Sequence, residues 1–306
     1  MQRYIAKRAL HSLLAIWVMS LVVFTLARIT GNPLDMMLPL EATTEDYERV
    51  SKYWGLDQPL TTQYVIFLSK ALQGDFGTSW KWPGYSAMGL VKERLPATLQ
   101  LAGLALGISV LIALPIRVLA AVMKGTAWDS VAKVIALLGQ SLPAFWLGIV
   151  LMWIFAVTLG WLPTSGKGGL EHMILPAITL GWFQVAAIMR LVRSSMLEVL
   201  DSEFVKLTRI KGLSEWKVVW KHCLRNAAIA PLTFFAIIAG VLMTGAVVTE
   251  SVFSWPGTGL LVVDAVRARD FQVVQAVVIV FAGIFILTNL VVDILYAYLD
   301  PRIRYQ

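Results

Sequence analysis

Residues 206–226 read KLTRIKGLSEWKVVWKHCLRN, a basic stretch with two tryptophans, lying between long apolar runs. Gly212 divides it into two helix-like halves. The fold turns on where such an island sits, so the runs around it come first. The chain has 306 residues, 58% hydrophobic and 15% charged, against about 45–50% apolar and 25% charged in an ordinary soluble domain. A hydrocarbon core about 30 Å thick takes about 20 apolar residues of helix. Six stretches meet that length: Ala9 to Ile29, Ala97 to Val122, Val134 to Leu159, Met173 to Val192, Ala228 to Thr249 and Val273 to Tyr298. The expected fold class is therefore an all-α polytopic membrane protein with six transmembrane helices. Gln140, Ser141 and Pro143 interrupt the third stretch, and Asp129 opens a short interfacial helix before it. The first stretch reads as a retained anchor, because its apolar run exceeds a signal-peptide core and no small-x-small site follows.

Six spans put both termini on one side, and Lys/Arg asymmetry in short loops says which. One set of segments holds fifteen cations. It comprises Arg3, Lys7 and Arg8 at the N-terminus, Lys124 and Lys133 in the second turn, eight from Arg190 through Arg225 around the island, and Arg302 and Arg304 in the tail. The opposite set holds three, Lys167, Arg267 and Arg269. The island and both termini are expected in the cytoplasm. The net charge of +7 then reflects membrane anchoring, and no nucleic-acid-binding motif is present.

Three parts follow: residues 1–30 as cytoplasmic N-terminus and first helix, 31–96 as an outer, periplasmic helical segment, and 97–306 as a five-helix core carrying a cytoplasmic loop, 193–227. In the outer segment, Thr44 is read as the cap of a helix with Glu45, Asp46 and Glu48 in its first turn, ending at Gly55. A second helix, from about Thr61 to Leu72, places Tyr64, Phe67, Leu68 and Ala71 on one face. GDFGTSW (74–80) reads as a turn with aromatics to bury. This segment is either a small cap on the membrane domain or a docking surface.

HExxH, GxSxG, GxxxxGK[ST] and a Cys/His metal cluster are all absent from the sequence, which leaves an enzyme no nucleophile, metal or phosphate cradle. Cys223 is the sole cysteine and reads as a small apolar filler. Arg117, near the cytoplasmic end of the second span, is read as snorkelling toward the headgroups, with a role in a transport path as the competing reading. Asp293, near the inner end of the last span, is expected to pair with a neighbouring helix. LPAT (95–98) and LPAI (175–178) read as first-turn prolines.

Within the island, Ser195 to Lys211 should continue the fourth span as a polar helix. Gly212 then supplies a left-handed C-cap, and Ser214 caps a second helix with Glu215 in its first turn. Trp216, Val219, Trp220 and Cys223 share one face by 3,4,7 spacing. Lys217, Lys221 and Arg225 share another. Such a helix lies on anionic lipid or plugs a groove on a soluble protein, and pattern alone fits both.

The island resembles the cytoplasmic loop of ABC-importer permeases of the dipeptide/oligopeptide/nickel branch. The resemblance runs along the whole chain through GLDQPL (55–60), GDFGTS (74–79), RLPATLQLA (94–102), SLPAFWLG (141–148), LGWLPTSG (159–166), HMILPAITL (172–180), RSSMLEVL (193–200), ESVFSWPGTG (250–259) and LVVDILYAYLDPRIRY (290–305). It implies the type I importer permease fold in a bacterial inner membrane, with the protein working as a pore-forming subunit for dipeptides or oligopeptides. Nickel chelates, glutathione and oligosaccharides are alternative cargoes. A self-sufficient secondary carrier is the rival outside this class.

The implied partners are a second homologous permease making a heterodimeric pore, two cytoplasmic ABC ATPase subunits, a periplasmic solute-binding protein and membrane lipid. No cofactor is implied in this chain, while ATP and Mg reside on the ATPases. The resemblance makes Lys206, Thr208, Lys211, Gly212, Leu213, Ser214, Glu215, Trp216, Lys217 and Trp220 the coupling helix region. It gives Glu250, Phe253, Ser254, Trp255, Pro256, Gly257, Asp75 and Phe76 to binding-protein contact or the outer gate. Arg117 and Asp293 are left as pathway or gating candidates. Thr208 and Ile210 stand where the branch usually has alanines, Pro231 falls one residue late, and Arg117 stands where glycine is common.

Overall fold

The computed structural model describes residues 2–29, 43–123, 125–227, 238, 240–242 and 246–299. These residues are overwhelmingly helical. Among them there is no β-strand, only an isolated antiparallel bridge between Thr78 and Ser86. The elements are α1 (Gln2–Ile29), α2 (Thr44–Trp54), α3 (Leu60–Leu72), α4 (Ala87–Val122), α5 (Ala127–Ser141), α6 (Ala144–Leu151), α7 (Glu171–Leu200), α8 (Glu203–Ile210), α9 (Leu224–Ala227), α10 (Thr258–Arg267) and α11 (Phe271–Leu299). π-Helical turns over Met152–Thr158 and Lys217–Cys223 extend α6 and precede α9. Among the described residues four helices are long and apolar enough to cross a membrane. A fifth crossing is available if α5 and α6, with its π turn, act as one bent span. The chain is thus an all-α polytopic membrane protein. The fifth expected span, Ala228 to Thr249, and Pro231 within it lie largely outside the described residues.

The chain divides into two compact units, residues 1–97 with 256–306, and residues 98–255. In the first unit α1 packs along α11 and against α3. Phe24 and Tyr64 meet edge-on at 5.4 Å, and Phe67 continues the aromatic row to Phe76 at 6.3 Å. Arg28 donates through Nε to Gln63 Oε1 at 2.9 Å, so the polar groups near the end of α1 are satisfied by α3. The expected face of Tyr64, Phe67, Leu68 and Ala71 is the more sheltered side of α3. Phe76, Leu90, Val91, Leu261, Val273 and Val277 form the apolar core of this unit. The GDFGTSW turn is tied to the start of α11, because the Ser79 hydroxyl donates to the buried Asp270 carboxylate.

The cap of α2 lies one residue earlier than expected. Thr43 and Asp46 form a reciprocal capping box, with the Asp46 carboxylate accepting from the Thr43 backbone N–H at 3.1 Å. The Thr43 hydroxyl, donating to Asp46 Oδ2 at 2.8 Å, and then that backbone bond hold the Asp46 carboxyl below its usual range. A Thr-x-x-Asp spacing satisfies two otherwise orphaned donors, which favours Thr43 over Thr44.

In the second unit α7 is the central element, packing against both α5 and α6. Close approach depends on small residues, as it commonly does in membrane helix packing. A Cβ on Gly181 would come within 2.8 Å of the Ala105 carbonyl of α4, and one on Gly139 within 2.7 Å of the Ala186 methyl. The stretch Val134 to Leu159 is not one straight span, because α5 and α6 meet at 107°. Leu142 is extended (φ −88°, ψ 125°). Pro143 imposes this, since proline disfavours the helical region at the preceding residue and has no N–H to continue the ladder.

Two further expectations are corrected. Pro96 and Pro176 are not first-turn residues, because α4 begins at Ala87 and α7 at Glu171, and both helices run through their prolines. The polar continuation from Ser195 to Lys211 is broken at Asp201 and Ser202. Ser202 adopts the extended N-cap conformation (φ −76°, ψ 151°) before Glu203 opens α8, and serine followed by an acid in the first turn favours such a restart.

Candidate functional site

The island is a helix–turn–helix within the second unit. α8 ends at Ile210 with Lys211 as its C-cap, and Gly212 takes the left-handed conformation (φ 75°). The Gly212 N–H donates to the Arg209 carbonyl at 2.9 Å, and the Leu213 N–H reaches back to the Thr208 carbonyl at 3.4 Å. That pair of bonds is a Schellman ending, which satisfies carbonyls the helix leaves open. Arg209 then crosses the turn. Its Nε and Nη2 donate to Glu215 Oε1 and Oε2 at 2.8 and 3.3 Å, clamping the two halves together. Hydrogen bonding to the carboxylate raises the Arg209 pKa above its usual value.

After Ser214 the backbone winds as a π turn over Lys217–Cys223, with the Leu224 N–H bonded five residues back to Val219. The wider winding changes the expected faces. Val218, Val219 and Cys223 are the buried residues of this turn, and Val205 of α8 and Ala227 of α9 are buried as well. Trp216 is instead 69% exposed and lies against the half-buried Trp220 with ring centroids 5.2 Å apart. Burial pushes the Cys223 thiol pKa up, so it stays protonated and inert. Ile210 (80% exposed) and Leu207 (57%) join Trp216 on the outside. Lys206, Lys211, Gly212, Ser214, Glu215 and Lys217 are exposed too, while Thr208 and Leu213 are half-buried. The pinned turn thus carries exposed apolar side chains together with exposed lysines.

The outer candidates behave differently. Phe253 and Trp255 are fully buried, as is Glu250. Thr98 Oγ1 donates to Glu250 Oε1 at 2.7 Å. The Phe253 carbonyl accepts from the Gly166 N–H at 2.9 Å, and Trp255 N–H closes the turn on Glu250 O at 2.8 Å. Ser254 holds a positive φ of 47° and is the exposed member of the segment, while Pro256 is half-buried and Gly257 buried. The expected contact surface is, at Phe253 and Trp255, a packed turn. Asp75 is exposed, accepting from the Gly77 N–H at 2.9 Å, and Phe76 belongs to the core.

Arg117 does not snorkel. It is 1% exposed and donates through Nη2 to the Ala132 carbonyl at 2.9 Å. Nearby, the buried Asp129 receives Arg193 at 3.2 and 3.1 Å and Lys133 at 2.8 Å, bracing α5 against α7. The side chain of Asp293 lies outside the described residues. Among the described residues no group of three or more His, Cys, Asp or Glu is placed to hold a metal.

Two family patterns together cover the sequence. The binding-protein-dependent transport system inner membrane component matches residues 98–305, and the N-terminal region of such a membrane component matches residues 1–102. The glutathione transport system permease protein GsiC of Escherichia coli (strain K12) is 40% identical over 307 residues, covering 100% of both chains. GsiC of Salmonella typhi is 41% identical over the same full length. The chain belongs to the binding-protein-dependent permease family. It is therefore a permease subunit of an ABC importer, an integral protein of the bacterial inner membrane, and such a subunit works with ATPase and binding-protein partners.

Within this permease, sequence reasoning missed two features. Arg209 entered only as a charge, although an arginine and a glutamate bracketing a glycine at six-residue spacing was the available signal. Asp129 was seen as a helix opener, but nothing in the sequence indicated that Arg193, 64 residues away, would meet it.

Proposed function

We propose that this permease is a pore-forming subunit for short peptides and that glutathione, itself a tripeptide, is the first substrate to test. The full-length identity of 40–41% to GsiC supports the choice of glutathione. The reading includes six spans with cytoplasmic termini, from the cation asymmetry, and residues 193–227 as the loop that couples to the ATPases. Lys206, Thr208, Lys211 to Lys217 and Trp220 make the contact, with Trp216 and Ile210 as the apolar insertion and the flanking lysines as its rim. ATP and Mg sit on the ATPases, and a second permease completes the pore. Glu250 to Gly257 and Asp75 belong to the outer mouth, where Ser254 and Asp75 are the exposed positions that reach a binding protein.

The exposed, rigidly capped turn at Gly212 carries this reading, because Trp216 and Ile210 are large apolar side chains left largely uncovered by the described residues. The experiment is uptake of labelled glutathione, a dipeptide and a longer peptide into vesicles holding the assembled importer with its binding protein. ATP-dependent uptake of glutathione and exclusion of the longer peptide is the expected result. Uptake by this chain alone under an ion gradient, without ATP, overturns it.

A further inference from the structure

The cluster around Arg117 contains more positive charge than the acids among the described residues neutralise. A cavity of about 430 Å³ between α4, α5 and α7 is lined by Arg117, Lys133, Arg190 and Arg193, with Gln140 and Ser194. Among the described residues one acid, Asp129, pairs with this group, and it is already taken by Arg193 and Lys133. Arg190 is exposed and forms none of the described ion pairs. Arg117 is the decisive residue. It is 1% exposed, yet its Nε and Nη1 are buried without a hydrogen-bond partner. A guanidinium buried with two idle donors is costly unless an anion arrives to meet them.

The surroundings indicate which anion. Arg117 is five residues from the C-terminal end of α4, about 7 Å of helix. The apolar part of α4 lies toward that end, so the cluster sits where hydrocarbon gives way to headgroups. The cavity is open at a rim that includes Leu137, 66% exposed, and the exposed Val134 and Leu138 continue the same side of α5. A soluble anion has no use for such a rim, whereas acyl chains do.

We propose that this cavity holds the phosphate of an anionic phospholipid, with Arg117 and Arg190 as its ligands and the acyl chains lying along the Val134–Leu138 side of α5. Basic recesses between membrane helices at the headgroup level suit such lipids. The site is independent of which substrate the permease carries, so it can stand or fall without the transport reading.

The test uses the assembled importer, purified in mild detergent and stripped of lipid. Phosphatidylglycerol, phosphatidylcholine and inorganic phosphate are titrated separately, with bound lipid read by native mass spectrometry and stability by thermal shift. Phosphatidylglycerol should be retained and raise Tm where phosphatidylcholine does not. Arg190→Gln should weaken that binding about fivefold, the effect of one cation near a lipid surface. Arg117→Gln should weaken it more, and the exposed Arg190 keeps the test valid if the Arg117 variant folds poorly. Equal retention of the two lipids, or an unchanged affinity in Arg190→Gln, overturns the proposal. Stabilisation by inorganic phosphate alone that matches phosphatidylglycerol overturns the lipid assignment and makes this a soluble-oxyanion site.

Discussion

The island around Gly212 and the turn at Glu250 to Trp255 look alike in sequence. Each is a short polar interruption carrying aromatics between apolar helices, and each reads as a contact surface. The structure treats them in opposite ways. In the island Trp216 is 69% exposed and Ile210 80%, whereas Phe253 is 1% exposed and Trp255 0%. Both turns are pinned by backbone hydrogen bonds, at Gly212 and at Trp255. Rigidity is common to them, and what differs is where the aromatics go. An aromatic turned inward holds the turn's own shape. One turned outward on an equally rigid turn is available to another protein. Aromatic content in a loop therefore says little about binding until burial is known.

The comparison breaks most visibly at the inward turn. Trp255→Ala should lower the stability of the permease by about 3 kcal/mol or more, as large buried aromatics do when truncated, read as a fall in detergent Tm and in the yield of folded chain. A Trp255 variant of unchanged stability that binds its ATPases normally but loses the binding protein would mean the residue faces outward after all. Trp216→Ala should do the reverse. It should cost about 2 kcal/mol of ATPase affinity, roughly thirtyfold, as an interface tryptophan does, while the isolated permease changes by no more than about 0.5 kcal/mol. Copurification of ATPase with the tagged permease over a dilution series reads the first, and Tm reads the second.

The two regions also show what a single chain makes legible. Apolar run length foretold the four long membrane helices found among the described residues, and the phosphate loop's absence from the sequence agrees with an importer subunit that relies on separate ATPases. Gly212 was readable because only a left-handed cap suits a glycine between two helical halves. The π winding of Lys217–Cys223 was not, because a 3,4,7 pattern presumes α-geometry and so placed Trp216 with Val219 and Cys223. The 107° bend between α5 and α6 was half-visible. Pro143 announced an interruption, but its angle depends on how α5 and α6 pack on α7. Arg117 was misread for a similar reason. Snorkelling is a property of one helix in lipid, and the recess that buries Arg117 is made by three helices.

Gly212→Ala is a smaller and sharper change. A Cβ at Gly212 meets no atom within 4 Å, so no contact is disturbed. The substitution adds only the strain of an L-residue at positive φ, about 1 kcal/mol. If the turn must be rigid for the ATPases to move the membrane helices, ATP hydrolysis should continue while uptake per ATP falls. Simultaneous measurement of phosphate release and glutathione accumulation in vesicles gives that ratio. A fall in both together would mean the turn only holds the ATPase and does not transmit its motion.

The smallest expected effect concerns the Arg209–Glu215 clamp. The pair is bidentate, but Glu215 is 62% exposed at its side chain and Arg209 43%, so solvent screens most of its Coulomb energy and about 0.5 kcal/mol is the ordinary contribution. Arg209→Gln, Glu215→Gln and the double variant form a cycle that isolates the pair from the separate loss of each charge. In the isolated permease the coupling should be near that small value and should shrink as salt is raised. In the complex it should grow, because a docked ATPase excludes water from the turn and strengthens the interaction it covers. A coupling that stays the same with and without ATPase would place the clamp outside the docked surface. The insertion would then be confined to Ile210 and Trp216, narrowing the outward-facing side of the comparison to two apolar residues.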